Sequence, residues 1–334
     1  MEWYLPVIWA GVIGTAVAMY VILDGFDLGI GILFPLADND REREQMMASV
    51  KPFWDGNETW LVLGGGGLLV AFPLAYSIIM PAFYIPIILM LLALVFRGIT
   101  FEFRGLAGGK RKWNFAFAAG STVAALSQGL VLGGMIQGIK IENGAFAGGA
   151  FDWATPFALI CALGVTVGYA LLGATWLIMK TEGPVAVRAR RQAPWLLAAV
   201  LGFMGVVSLW TPLLMPNIAQ RWFSAPNIFY LWPVPVVTAF TAWLCWRGLQ
   251  KGYDATPFLC TIGLFLLGYM GLVISWFPYL VPPTLTVWDA AAAPSSQIFM
   301  LVGTLILLPF ILGYTALIYW LFRGKVAEGE SYHH

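Results

Sequence analysis

Apolar runs along this chain are long, and the polar breaks between them are short. Nine runs stand out, over about 6–36, 55–75, 79–101, 114–139, 154–179, 195–215, 228–247, 258–280 and 295–322. Each is close to or above the roughly 20 residues a helix needs to cross a bilayer. The pattern predicts an all-α fold, a polytopic membrane protein of about nine transmembrane helices packed in helical bundles. The chain reads as one integral membrane domain over 1–334, with a disordered tail expected at 331–334. The weakest break is Phe72-Pro-Leu-Ala-Tyr-Ser-Ile-Ile-Met-Pro81, itself apolar, where proline at both edges predicts a turn. Alternating charges in Asp38-Asn-Asp-Arg-Glu-Arg-Glu44 predict a short interfacial helix between the first two spans.

Lysine and arginine then fix an orientation. Sixteen of them fall on one side of the nine spans, and only Lys140 and Arg221 fall on the other. Positive loops face the cytoplasm, which puts the N-terminus outside and the C-terminus inside.

Composition agrees: 60% of residues are hydrophobic, 10% are charged and the mean hydropathy is +0.80. A net charge of +1 gives no reason to expect nucleic acid or an acidic substrate. Met1-Glu2-Trp3 lacks the basic start of a signal peptide, so the first helix is expected to be retained. Cys161, Cys245 and Cys260 all sit in apolar runs and read as small buried hydrophobes. His333 and His334 end the chain, so the commonest haem ligand is missing from every span. Met90, Met135 and Met270 read as packing, and no C-x-x-C spacing occurs. The chain itself is expected to ligate no metal.

Acids inside the apolar runs carry the chemistry. Asp24 and Asp27 lie within the first span, three residues apart and so on one helix face. At 1.5 Å per residue, Asp24 lies roughly 27 Å from Pro6 and 16 Å from Pro35, in the half of the membrane nearest the following loop. A carboxylate there costs roughly 3 kcal/mol on insertion scales and is kept only with a partner or a polar path. A second cluster, Trp54-Asp-Gly-Asn-Glu-Thr-Trp60, opens the second span with Asp55, Glu58 and Thr59 on one face. Two readings stand side by side. Asp55 and Glu58 cap the helix and complement its dipole, or they form the mouth of a proton path that continues through Asp27 to Asp24. Gly64-Gly-Gly-Gly67 and the Gly25/Gly29 pair suit close helix packing. Arg97, Glu102 and Arg104 read as an interfacial salt-bridge and snorkelling group, and Gln128 and Gln137 as hydrogen-bonding bridges between helices. Ser295 or Ser296 reads as the cap of the last helix.

Leu23-Asp-Gly-Phe-Asp-Leu-Gly29 with Trp54-Asp-Gly-Asn57 closely resembles subunit II of the cytochrome bd quinol oxidases. Phe101-Glu-Phe-Arg104, Phe277-Pro278, Val287-Trp-Asp-Ala290 and Pro294-Ser-Ser296 fit the same family in order, and the cyanide-insensitive branch looks the nearer relative. The resemblance implies a multi-pass subunit of a bacterial inner-membrane terminal oxidase that oxidises quinol and reduces dioxygen to water, with this chain's N-terminus periplasmic and C-terminus cytoplasmic. It implies that subunit I, the heterodimer partner, carries all the haems, of b and d or related types, and the quinol site. A small single-helix accessory subunit joins some such complexes, and a structural ubiquinone is associated with subunit II in some members. The positions matching Asp24 and Asp55 are associated there with a cytoplasmic proton pathway, with Trp54 beside it. Asp27 and Glu58 join that group by helical spacing; some relatives carry an amide in place of Glu58. Short loops and intramembrane acids also suit a proton-coupled secondary transporter. That class is expected to show inverted repeats and broken helices, and neither is evident.

Overall fold

The computed structural model describes residues 3–106 and 108–327. The tail expected at 331–334, with both histidines, lies outside the described residues. Helix α1 (Leu5–Leu33) runs almost the full length of the first apolar stretch and ends in a 3₁₀ turn at Phe34–Leu36. The expected interfacial helix forms as α2 (Asp40–Ala48). Its start is fixed reciprocally: Asn39 Oδ1 accepts from the Glu42 N–H at 3.0 Å, and Glu42 Oε2 accepts from the Asp38 N–H at 3.0 Å.

α3 (Trp54–Ala71) follows, then α4 (Pro73–Ala82), α5 (Tyr84–Phe103) and α6 (Arg111–Gln137). The break expected as a turn at 72–81 is therefore a short helix. The chain bends at Phe72, and Pro73 occupies the first helical position, where its missing N–H costs nothing. A two-residue hairpin, β1 (Ile141–Glu142) with β2 (Ala145–Phe146), leads to α7 (Pro156–Lys180) and the long α8 (Gly183–Leu214). Short α9 (Pro216–Phe223) and α10 (Asn227–Leu231) precede α11 (Pro233–Gln250) and α12 (Ala255–Trp276). A second hairpin, β3 (Tyr279–Val281) with β4 (Leu285–Thr286), precedes α13 (Pro294–Leu321). Neither Ser295 nor Ser296 caps α13: the helix starts on Pro294 with no side-chain cap.

Eight helices among the described residues are long and apolar enough to cross a membrane. The ninth expected span forms as α3, whose first turns carry Asp55, Asn57 and Glu58 and whose middle is Gly64–Gly67, so it falls short on hydropathy. It nonetheless lies along α1, with Gly67 against Ile13 and Gly64 against Val17.

α1 is the axis of the molecule and packs on α3, α6, α7, α12 and α13. Its closest approach is to α7. A β-carbon at Gly29 would stand 1.8 Å from the Tyr169 carbonyl oxygen, and one at Gly173 would stand 2.5 Å from the Gly29 carbonyl carbon. The two backbones touch only because both positions are glycine. Around that contact Phe26, Phe53, Trp176 and Phe258 stack edge and face in the main core.

The end of the bundle that carries the basic loops is closed by a polar clasp. Gln45 Nε2 donates to the carbonyls of Glu182 at 3.1 Å and Val326 at 2.9 Å. Lys180 Nζ donates to the carbonyls of Phe322 and Gly324, and Val326 bridges Thr181. Arg188 on α8 bonds Glu42 and Asp38, while Asp254 accepts from Arg190 and Lys325. The segment after α13, residues 322–326, thus ties α2, the α7–α8 junction and the α11–α12 turn together.

Candidate functional site

Asp24 and Asp27 sit on one face of α1, as their spacing requires, and both side chains are fully enclosed. α5 runs past that face and presents Arg97, an arginine with no solvent exposure at all. Arg97 Nη1 donates to Asp24 Oδ1 at 2.5 Å, and Nη2 donates to Glu58 Oε2 at 2.9 Å. Glu58 reaches in from α3 and keeps 28% of its side chain exposed, so the cluster has one edge open. The guanidinium fork spans two carboxylates from two different helices, while Asp24 Oδ2 and Arg97 Nε make no hydrogen bond among the described residues.

Asp27 is organised separately. Its Oδ2 accepts from Asn57 Nδ2 at 2.8 Å; that amide also reaches the Leu23 carbonyl at 3.2 Å and receives the Tyr319 hydroxyl at 2.9 Å. The motif Trp54-Asp-Gly-Asn57 thus contributes its asparagine to the buried site. On the far side of Asp24, Gln128 joins two tyrosines: its Nε2 donates to Tyr20 at 2.9 Å and its Oε1 accepts from Tyr169 at 2.5 Å. Gln137 bonds Thr155 at 2.5 Å. Both glutamines therefore bridge helices as expected.

Trp54 lies flat on Phe101 of α5, ring centroids 4.8 Å apart and planes within 8°. The same indole passes Gly98, the residue after Arg97, so it walls the cluster on the loop side. Asp55 behaves differently. Its side chain is exposed and, among the described residues, joins neither Glu58 nor the aspartates directly. Nor does it cap α3, whose N-cap is Phe53 with no side-chain bond.

Arg97 corrects the sequence reading most. It is no snorkelling interfacial group but the centre of the site. Its neighbour Arg104 is also buried, with Nε donating to Asn114 Oδ1 at 2.7 Å; Glu102 stays exposed. Arg97 was there to be found, since it lies within the third apolar run and a buried acid needs a cation. Asn57 had no such signal: nothing in the spacing distinguishes an amide that bonds Asp27 from one that faces solvent. Among the described residues no group of three or more His, Cys, Asp or Glu could hold a metal ion.

These features define a multi-pass helical membrane protein with a buried arginine–carboxylate cluster built across α1, α3 and α5. Residues 5–322 match the family model of cytochrome bd terminal oxidase subunit II, and the chain belongs to that family. It is 28% identical to cytochrome bd-I ubiquinol oxidase subunit 2 of Escherichia coli K12, over 98% of this chain and 96% of the relative. It is 27% identical to the cytochrome bd ubiquinol oxidase subunit 2 of Bacillus subtilis 168, over 97% of each. The fold matches the solved bd oxidase of Geobacillus thermodenitrificans with a TM-score of 0.73, at 19% identity, over 95% of this chain and 98% of that one. The chain is accordingly one subunit of an oxidoreductase complex in the bacterial inner membrane, and a second subunit implies a first as its partner. Family membership sets the transporter reading aside.

Proposed function

We propose that this chain holds the haem-bearing subunit I in register and carries protons inward to it from the cytoplasm, while the complex oxidises quinol and reduces dioxygen. Four electrons and four protons turn one dioxygen into two waters. If quinol releases its protons outside and the water protons come from inside, charge separates across the membrane without a pump. Subunit I supplies the haem chemistry. This chain's task is to bring protons across half a membrane, and the residues assigned to it are Asp55 and Trp54 at the entrance, then Glu58, Asp24 and Asp27.

The observation that carries this reading is the Arg97 cluster. Arg97 pairs with Asp24 and Glu58, Asp27 follows one helical turn after Asp24 on α1, and the two aspartates are fully enclosed, so three carboxyl groups gather around one cation. Such a group approaches neutrality only by holding protons. Glu58 reaches the open edge, and α3 places Asp55 one turn closer to the loops than Glu58. In this proposal water carries the proton between the exposed Asp55 and the enclosed acids.

The test uses the intact complex. Asp24→Asn and Asp55→Asn are expected to slow oxygen uptake severalfold with the reduced-minus-oxidised haem spectrum unchanged. Full turnover and full charge translocation in both variants would rule the path out. The same spectrum identifies the partner's haems, and oxygen uptake in cyanide tests the cyanide-insensitive assignment. A structural ubiquinone and a single-helix accessory subunit belong to the same proposal, checked by extraction and mass analysis of the purified complex.

A further inference from the structure

A groove of about 470 Å³ opens where the loop-side ends of α1 and α6 meet α2. One wall is apolar: Phe34 and Pro35 from the turn after α1, and Phe115 and Ala118 from the first two turns of α6. Phe115 keeps 74% of its surface exposed. The other wall is cationic. Arg43, Lys110 and Arg111 line it, and Arg104 stands directly behind it, its guanidinium 5.7 Å from the Phe34 ring centre.

The charges here do not cancel. Asp40, which also lines the groove, is held by Arg43 at 3.1 Å and by Arg104 at 3.6 Å. Glu44 pairs with Lys110 and lies 3.9 Å from Arg104. Among the described residues Arg111 has no carboxylate partner, so four cations face two carboxylates. Arg104 is 5% exposed and shares Asp40 with Arg43, its Nη2 facing Asp40 Oδ1 at 3.6 Å, beyond hydrogen-bond length.

An apolar wall beside an excess of cations, at the loop-side ends of membrane helices, matches the boundary where acyl chains give way to headgroups. We propose that this groove binds the phosphodiester of an anionic phospholipid. The acyl chains run along Phe115 and Ala118, and the phosphate is received by Arg111 and Lys110, with Arg104 supporting through Asp40 and Asn114. The face involved carries the basic loops, and basic pockets between helices on such a face favour anionic headgroups. This site is independent of the proton path: none of its residues belongs to the Arg97 cluster.

The experiment reconstitutes the whole oxidase complex into nanodiscs of phosphatidylcholine doped with fluorescent phosphatidylglycerol or its phosphatidylcholine analogue, and reads energy transfer from protein tryptophan. Phosphatidylglycerol should be preferred, and each basic residue removed should cut that preference about fivefold. Arg111→Gln tests the exposed cation alone, and Arg111→Glu should abolish the preference. An unchanged haem spectrum and oxygen uptake confirm that each variant is assembled. Inorganic phosphate at millimolar concentration should not displace the lipid. Equal binding of both lipids, a preference that survives Arg111→Glu, or displacement by inorganic phosphate would each overturn the proposal, the last in favour of a site for a free anion.

Discussion

Arg97 holds two carboxylates, Asp24 fully enclosed with it and Glu58 at the open edge, and that fixes what its removal does. Arg97→Gln leaves Asp24 buried with no cation. Breaking a buried pair from one side costs roughly 3–5 kcal/mol, so the complex should lose thermal stability by that order, measured as the midpoint of haem-spectrum loss on heating. Adding Asp24→Asn to Arg97→Gln should restore much of it, because the uncompensated charge is gone; a double variant no more stable than the single one would show that the pair is not the cause. Asn57→Leu takes the amide from Asp27 and Tyr319 together and should cost about 1–3 kcal/mol by the same measurement. At this scale the sequence showed the acids but not their partners. Asp24 and Asp27 stand out because a carboxylate in an apolar run is rare. Arg97 sits close enough to a predicted helix end to pass for an interfacial residue, and which side of α5 meets α1 is decided by packing that no single-chain pattern contains.

At the scale of elements, helix positions were legible because hydrophobic length is set by the bilayer. Their pairings were not. α1 could have packed on any neighbour by composition, and Gly29 against Gly173 selects α7. Gly29→Val should therefore separate the two helices and prevent assembly of a haem-containing complex, read by co-purification of subunit I; Gly65→Ala, where nothing lies within 4 Å, should assemble normally. The break at 72–81 misled for a related reason. Proline marks a helix start as readily as a turn, and the apolar residues after Pro73 have a core to enter.

Across the whole molecule, the clasp should give acid sensitivity. Partial burial opposes ionisation of Glu42, but the Arg188 hydrogen bond and the Asp38 N–H outweigh it and hold its carboxyl below the usual range. Asp254 is lowered in the same sense, first by the Lys325 hydrogen bond. Groups lowered on folding add stability above their unfolded values, near pH 4, and lose it as pH falls through the folded ones. Heat stability of the complex should fall below about pH 4.5, and Arg188→Gln should flatten that fall. A wild-type curve unchanged down to pH 3 would remove the clasp from the account. Among the described residues the same view leaves much of α13 uncovered within this chain, with Phe299, Phe310 and Leu305 all exposed, as suits a surface that meets lipid or subunit I.

The cluster also imposes an order on biosynthesis. Arg97 lies 73 residues after Asp24, so α1 leaves the ribosome well before its counter-charge exists. At roughly 5–20 residues per second that delay is about 4–15 seconds. During that interval the nascent α1 must either wait at the translocon or enter the lipid with its acids carrying protons, and it is released from that choice only when α5 arrives.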